Sequence, residues 1–349
     1  MMATPCPVPR RHRRQRGFSL VELMVGIVVA MAAVLVVTQV FRVSEGQRRA
    51  TTGTDEAQMT GAIALSMLQR ELRQAGQGLM SPRLLLCQLD LGSGGSVAAL
   101  APVTINPAGI PAGDAGTDVL MLAYGAGWGS PEGGLIAQQR GPATYVVPGS
   151  LSYQPGDRVI ATPAQRATTC ALTLTRVNAP PTTTDVTVAT GLAGAANGVL
   201  FNLGRQPRFL VYAVRDSRLT VCDMMAQSCT SLAEANWTEV AAHVVGLRAE
   251  YARDSSTPRD GLVDGYAGNA TLATDCDVAR VVGVRVALVA RNPYPERADL
   301  PASAPSWAGA ADLTPAGSDW QRYRYRTYET TVPLRNAPDT LDPAFASCP

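Results

Sequence analysis

The side chain with the clearest chemical anomaly is Glu22. It sits inside the front edge of an apolar run, and residues 23–41 carry no charge. A carboxylate held within a membrane costs on the order of 2.5–3.5 kcal/mol, so one retained there is a functional-site candidate by default. Catalytic chemistry finds little footing elsewhere. His243 is the one histidine beyond the apolar run, no G-x-S-x-G elbow occurs, and the 30 basic residues are all arginine. A lone histidine builds no triad, and without lysine there is no G-x-x-x-x-G-K-[ST] phosphate loop. H-E-x-x-H and C-x-x-C are both absent, which leaves zinc without a recognisable site.

Two weaker constellations offer binding rather than catalysis. The loop RDGLVDGYAGNATLATDCD carries Asp260, Asp264, Asp275 and Asp277 among glycines, hard oxygen ligands suited to calcium. It lacks the full D-x-[DN]-x-[DN]-G pattern and the closing glutamate. A solvated acidic turn is the preferred reading, with calcium at Asp260 and Asp264 as its alternative; no other cofactor is called for. Arg322, Arg324 and Arg326 alternate with Tyr323 and Tyr325. On a strand the arginines would share one face and could hold a nucleic-acid backbone while the tyrosines stack on bases. A charged edge that discourages strand-to-strand aggregation is the reading we prefer.

The elements that place these residues begin with the apolar run. As a helix, residues 23–41 reach about 28 Å, close to the ~30 Å hydrocarbon core of a bilayer. Arg10, Arg11, Arg13, Arg14 and Arg16 precede it and hold that side in the cytoplasm. The rest of the chain then faces the periplasm of a Gram-negative cell, an oxidising compartment. Taking those five arginines from the 30 basic residues leaves 25 against 28 acidic ones, so net charge makes no case for nucleic acid. Cys87, Cys170, Cys222, Cys229, Cys276 and Cys348 follow the run. An even number outside the membrane suits disulfides, with Cys222 and Cys229 the easiest local pair and the remaining pairing open.

Beyond the run, Leu65, Leu68, Leu72, Ala75 and Leu79 recur at steps of three and four, an apolar helical stripe. Gly53 and Gly61 would loosen its middle, and Gly76, Gly78 and Pro82 end it. Strand-length runs follow at 118–124, 157–161, 170–177 and 185–189. A hairpin at 207–222 turns on RDSR, and further strands occupy 244–251, 281–290 and 323–334. Val245, Leu247, Ala249 and Tyr251 should share one face, as should Val282, Val284, Val286 and Leu288. Residues 125–142 read as a long surface loop suited to recognition. The fold class is α+β: a long N-terminal α-helix, membrane-spanning in its first half, packed on an antiparallel β-sheet head.

The stretch GFSLVELMV from Gly17 resembles the class III signal of type IV prepilins and pseudopilins. An ordinary signal peptide would have a shorter apolar run and an A-x-A site. The resemblance implies that a prepilin peptidase cuts after Gly17, that Phe18 is then N-methylated, and that Glu22 sets assembly register. Such a cut removes the five arginines and leaves an amine on Phe18 within reach of Glu22. Arg70, Arg73, Ala75 and Gly76 further resemble the R-x-x-R-x-A-G run of the PilW family of minor pilins, although Gln77 replaces the usual aromatic. Cys87 falls near a cysteine common in that family. Residues 244–251, 259–266, 284–288 and 334–336 follow its order of a V-V-x-L-R-x-x-Y strand, an Asp/Gly loop, a V-R-V-A-L strand and a closing L-R-N.

The resemblance implies a pilin-like fold and a non-enzymatic minor pilin that primes or caps pilus assembly. Its implied partners are other minor and major pilins, the prepilin peptidase and a tip adhesin, with no nucleic acid. Its implied location is the inner membrane and then the pilus fibre, at or near the tip. A minor pseudopilin of type II secretion is one alternative. A DNA-capture pilin is another, resting on the arginine–tyrosine strand alone. Residues 1–17 would be a cleaved leader, 18–41 the membrane and assembly helix, 42–80 its amphipathic continuation, and 81–349 a periplasmic β-rich head.

Overall fold

The computed structural model describes residues 17–92, 95–127, 129–268, 272–296, 303–338, 343–345 and 348. The leader arginines and Cys6 lie outside the described residues. The chain divides into two units, Met1–Thr52 and Gly53–Pro349, and one long helix, α1 (Leu20–Gln74), contributes to both. In the first unit, Leu20–Glu45 is, among the described residues, the one helix long and apolar enough to cross a membrane. Its mean hydropathy is 2.8 and none of it is buried within the chain. Its 26 residues reach about 39 Å, longer than the hydrocarbon thickness.

In the second unit, α1 turns a stripe of Gly53, Ala57, Gly61, Ala64, Leu68, Leu72 and Ala75 inward, all buried. The steps of three and four are the helical period. Leu65, predicted to join this stripe, is only half-buried, and Ala64 takes its place. Gly53 and Gly61 do not interrupt the helix. At each of them the facing chain leaves no room for a side chain. A Cβ on Gly61 would lie 2.3 Å from the Tyr328 ring, and one on Gly53 would lie 2.1 Å from the Asn292 amide.

Two antiparallel sheets receive the stripe. The five-stranded order is Thr238–Ala242, Arg218–Asp223, Arg208–Arg215, Leu120–Tyr124 and Val103–Ile105. The four-stranded order is Gly265–Ala267, Val244–Arg253, Val281–Arg291 and Tyr325–Pro333. His243, at φ 57°, is the single residue between Thr238–Ala242 and Val244–Arg253, and its carbonyl accepts from the Arg291 N–H at 2.8 Å. The lone histidine is thus a corner between sheets.

Leu120–Tyr124 and Arg208–Arg215 are buried on both faces. Leu122, Tyr124, Leu210 and Tyr212 join the core around α1, while Met121, Ala123, Phe209 and Val211 point into a second core. Burial on both faces is why these segments read as continuous apolar runs rather than alternations. The second core is closed by a six-stranded sheet: Ser96–Val97, Gln88–Asp90, Ala171–Arg176, Arg158–Thr162, Val199–Asn202 and Gly134–Leu135. One pair in it, Gln88–Asp90 with Ala171–Arg176, is parallel. Asp185–Thr187, Thr144–Val146 and Gln138–Gly141 form a three-stranded sheet, beside a core of its own that includes Ile136, Tyr145, Val159, Val186 and Leu200. Residues 125–142 are therefore not a bare loop, since they hold two short strands and the fully buried Ile136.

Two predicted faces shift by one residue, each at a bulge. An irregularity between Val244 and Gly246 turns Val245 to the opposite side of the sheet, toward Trp307 and Leu313. Another between Ala252 and Arg253 brings Val281, rather than Val282, into the core with Val284, Val286 and Leu288. The last strand is Tyr325–Pro333, and Arg322 belongs to a 3-10 turn before it. The three arginines consequently do not line one strand.

Candidate processing and assembly site

Gly17, Phe18 and Ser19 stand before α1, exposed and non-helical. Exposed, unpaired backbone is what a peptidase needs, and Phe18 is 84 % exposed. The Leu23 N–H donates to the Ser19 carbonyl at 3.1 Å, so helix begins at Leu20, with Phe18 and Ser19 between it and the bond to be cut. Glu22 lies in the first turn of α1, where a carboxylate opposes the positive end of the helix. It also follows Phe18 by four residues. An amine made at Phe18 would meet that carboxylate or the carboxylate of an adjacent helix.

The far end of α1 is built from two distant stretches. Ala75 is fully buried, and Gly76 adopts φ 85°, the left-handed conformation that ends helices and that glycine takes without penalty. The Gly76 N–H donates to the Ala123 carbonyl at 2.8 Å, which docks the helix end on a doubly buried strand. The Asn336 amide donates to the carbonyls of Gln74 and Ala75, each at 3.1 Å. These are carbonyls that a helix leaves without intrahelical partners. Leu334, two residues earlier, is buried in the core around α1. The A-G of the first run and the L-N of the closing run thus form one junction.

Polar ties hold the sheets in place. Buried Asp118 accepts from Asn106 Nδ2 at 3.0 Å, from Arg248 Nη1 at 3.3 Å and from the Ala249 N–H at 3.1 Å. It joins the five-stranded sheet to Val244–Arg253. Tyr251 accepts from the Ile105 N–H at 2.9 Å, and burial pushes its phenol up to about 12. Glu250 pairs with Arg285 on the neighbouring strand, and Arg285 lies 3.6 Å from the Tyr266 ring centroid. The Tyr124 hydroxyl donates to Glu71 on α1; burial first, then Glu71, push that phenol well above its usual range. None of these roles was apparent in the sequence. The available signal was only a polar residue inside an apolar strand.

The cysteines pair as Cys87–Cys170, Cys222–Cys229 and Cys276–Cys348. The first lies beside the parallel strand pair, where the Gln88 N–H donates to the Cys170 carbonyl at 2.9 Å. The third ties the short helix α2 (Asp275–Ala279) to the chain end over a small cluster of Leu85, Val278, Ala279 and Phe345.

Each of the four aspartates of the acidic loop has its own partners within the chain. Asp264 accepts from the Ser255 N–H at 2.7 Å and from Ser256 Oγ at 3.0 Å, bonds that hold its carboxyl below the usual range. Asp260 accepts from the Leu262 N–H at 2.9 Å. Asp275 instead pairs with Arg166 at 2.6 Å and Asp277 with Arg253 at 3.1 Å. Among the described residues, no group of three or more His, Cys, Asp or Glu side chains is arranged to hold a metal. Arg322 donates to the Glu296 carbonyl at 3.1 Å and Arg324 to the Glu296 carboxylate at 2.8 Å, while Arg326 is exposed on the last strand.

Comparison with known families agrees with both ends of this geometry. Residues 12–38 match the prokaryotic N-terminal methylation motif. Residues 211–336, which end on Asn336, match the family described as type IV pilus-assembly protein W. No curated protein and no solved structure matches the chain.

Proposed function

We propose that this chain, which matches a PilW-family class III prepilin at both ends, is a minor type IV pilin. It primes or caps pilus assembly after a prepilin peptidase cuts behind Gly17 and Phe18 is N-methylated. The observation that carries this reading is Leu20–Glu45, an apolar helix exposed along its whole length with Glu22 in its first turn. Apolar surface gains roughly 25 cal/mol per Å² when removed from water. A bilayer supplies that cover before assembly, and neighbouring helices supply it afterwards. Contacts of that kind are non-directional, and the pairing of a Phe18 amine with a Glu22 carboxylate gives them an axial register. The head stands in the periplasm and then at or near the fibre tip, against other pilins and a tip adhesin. The pilin families matched are structural, and the reading requires no catalysis. The match over residues 211–336 favours the pilus over a type II secretion pseudopilin.

N-terminal mass spectrometry of the protein recovered from sheared surface fibres tests the proposal. The expected product begins at N-methylated Phe18. A product that keeps its leader arginines in the fibre fraction, or one found only in a soluble fraction, overturns it.

A further inference from the structure

The middle of the chain carries a polar cleft that the processing and assembly site does not use. It measures about 580 Å³, a size typical of small-ligand sites, and its lining lies outside the segment that matches the pilus-assembly family. Such sites are usually lined by apolar side chains. This one is lined by Gln154, Asp157, Asn202, Arg205 and Gln206, with Leu151 as the one large apolar side chain. Asp157 and Asn202 are only 6 % and 7 % exposed, which makes them fixed parts of the wall. Asp157 Oδ2 accepts from the Gln154 N–H at 2.8 Å and from Asn202 Nδ2 at 2.9 Å. Asn202 Nδ2 also donates to the Ser152 carbonyl, and its Oδ1 accepts from the Gly204 N–H, each at 2.8 Å. Asp157 Oδ1 lies 3.9 Å from Arg205 Nε, too far for a hydrogen bond, and can take a further donor.

Cations gather beside the cleft. Arg158 and Arg176 stand directly opposite on adjacent antiparallel strands, an arrangement in which like charges repel. Neither side chain has an acid or a hydrogen-bond acceptor among the described residues. Arg176 reaches the turn at Gly156, where a Cβ would lie 3.7 Å from Arg176 Nη2 and 4.0 Å from Arg205 Nε. Two guanidiniums thus flank one bare glycine next to Asp157. We infer that the cleft binds an acidic saccharide. Its hydroxyls donate to Asp157 and exchange hydrogen bonds with Gln154 and Gln206. Its carboxylate or sulfate group bridges Arg176 and Arg205, whose planar forks suit such anions, and relieves the repulsion between Arg176 and Arg158. Nucleic acid fits less well. None of the described lining residues is aromatic, so bases lack a stacking platform, and Asp157 repels a phosphate chain. The inference does not rest on the pilin reading.

Isothermal titration calorimetry of the full chain in neutral detergent tests the inference. Tetragalacturonate is the carboxylate probe and a κ-carrageenan tetrasaccharide the sulfate probe. At least one should bind saturably with a Kd at or below about 1 mM, and the tighter of the two identifies the anionic group. Its uncharged counterpart, methyl-esterified or unsulfated, should bind at least about tenfold more weakly, because charge-assisted hydrogen bonds are lost. Arg176→Gln combined with Arg205→Gln should weaken the charged probe by at least about tenfold without changing Tm, since both side chains are exposed. Arg326→Gln combined with Arg335→Gln removes equal charge from two other exposed positions and should leave binding unchanged. The uncharged counterparts are titrated against the native chain, so the outcome does not depend on the variants folding. The inference is overturned if neither acidic tetrasaccharide binds, or if the uncharged counterparts bind as well. Equal losses in the two double variants, or tighter binding of an oligothymidylate of equal charge, also overturn it.

Discussion

Replacing Asn336 tests how the two ends of the chain meet. Asn336→Ala removes two hydrogen bonds of 3.1 Å to the last carbonyls of α1. Each is worth about 0.5–1.5 kcal/mol net, and a buried carbonyl left without a donor adds about 1 kcal/mol. Ala75 is fully buried, so that last cost applies to its carbonyl. The loss should total roughly 2–4 kcal/mol, which at about 2.1 cal/mol/K of unfolding entropy per residue lowers Tm by about 3–6 °C for a domain of this size. The assay is thermal unfolding of residues 53–349, a unit that holds its own cores and all three disulfides. Asn336→Asp separates capping from packing. It keeps the side-chain shape, donates nothing, and places negative charge at the negative end of a helix, so it should be worse than alanine by about 0.3–1 kcal/mol. If aspartate is as good as alanine or better, the capping account is wrong.

Glu22→Ala should leave cleavage after Gly17 largely intact but impair methylation or incorporation; normal piliation would count against its role in register. Removing the Cys87–Cys170 bridge by paired serine substitution frees a separation of 83 residues, against 7 for Cys222–Cys229. The chain-entropy model gives losses of about 4.5 and 2.4 kcal/mol, so guanidinium midpoints of the two double variants should fall in that order, and equal midpoints would contradict it. Gly61→Ala should destabilise the head, because a Cβ there meets the Tyr328 ring. In a Tyr328→Ala background the same change should stabilise by up to about 1 kcal/mol through helix propensity, and a double-mutant cycle without that reversal refutes the close-contact explanation. Calcium should leave the Tm of the head unchanged, since Asp260 and Asp264 are already bonded to chain groups; a rise reversed by EGTA would revive a metal site.

What could be read from the sequence were features whose cause is local. Glu22 stands out because its neighbours are apolar, and the stripe through Leu68 and Leu72 because helical spacing is set within a few turns. Runs buried on both faces, such as Leu120–Tyr124, announce themselves by unbroken hydrophobicity. Features decided by partners far along the chain stayed hidden. The bulges that turned Val245 outward and Val281 inward depend on how Val244–Arg253 pairs with Val281–Arg291. Asn336 looks like any turn asparagine until Gln74, 262 residues earlier, is beside it. Apart from Leu120–Tyr124, the strands of 88–146 are two to four residues long, too short for a period to show.

The same contrast bears on the segment that matches the pilus-assembly family, residues 211–336. Ala75, Gly76, Leu334 and Asn336 meet at one junction, and Val244–Arg253 and Val281–Arg291 lie between them under the α1 stripe. Altering one of these positions strands a buried partner elsewhere in the same core. Much of the middle of the chain packs into a core of its own around Tyr145, Val186 and Leu200. A segment that buries its own apolar residues can change without disturbing the helix or its docking sheets. On the minor-pilin reading, the ends hold the subunit in the fibre, and the middle is the part free to vary with whatever the exposed head must meet.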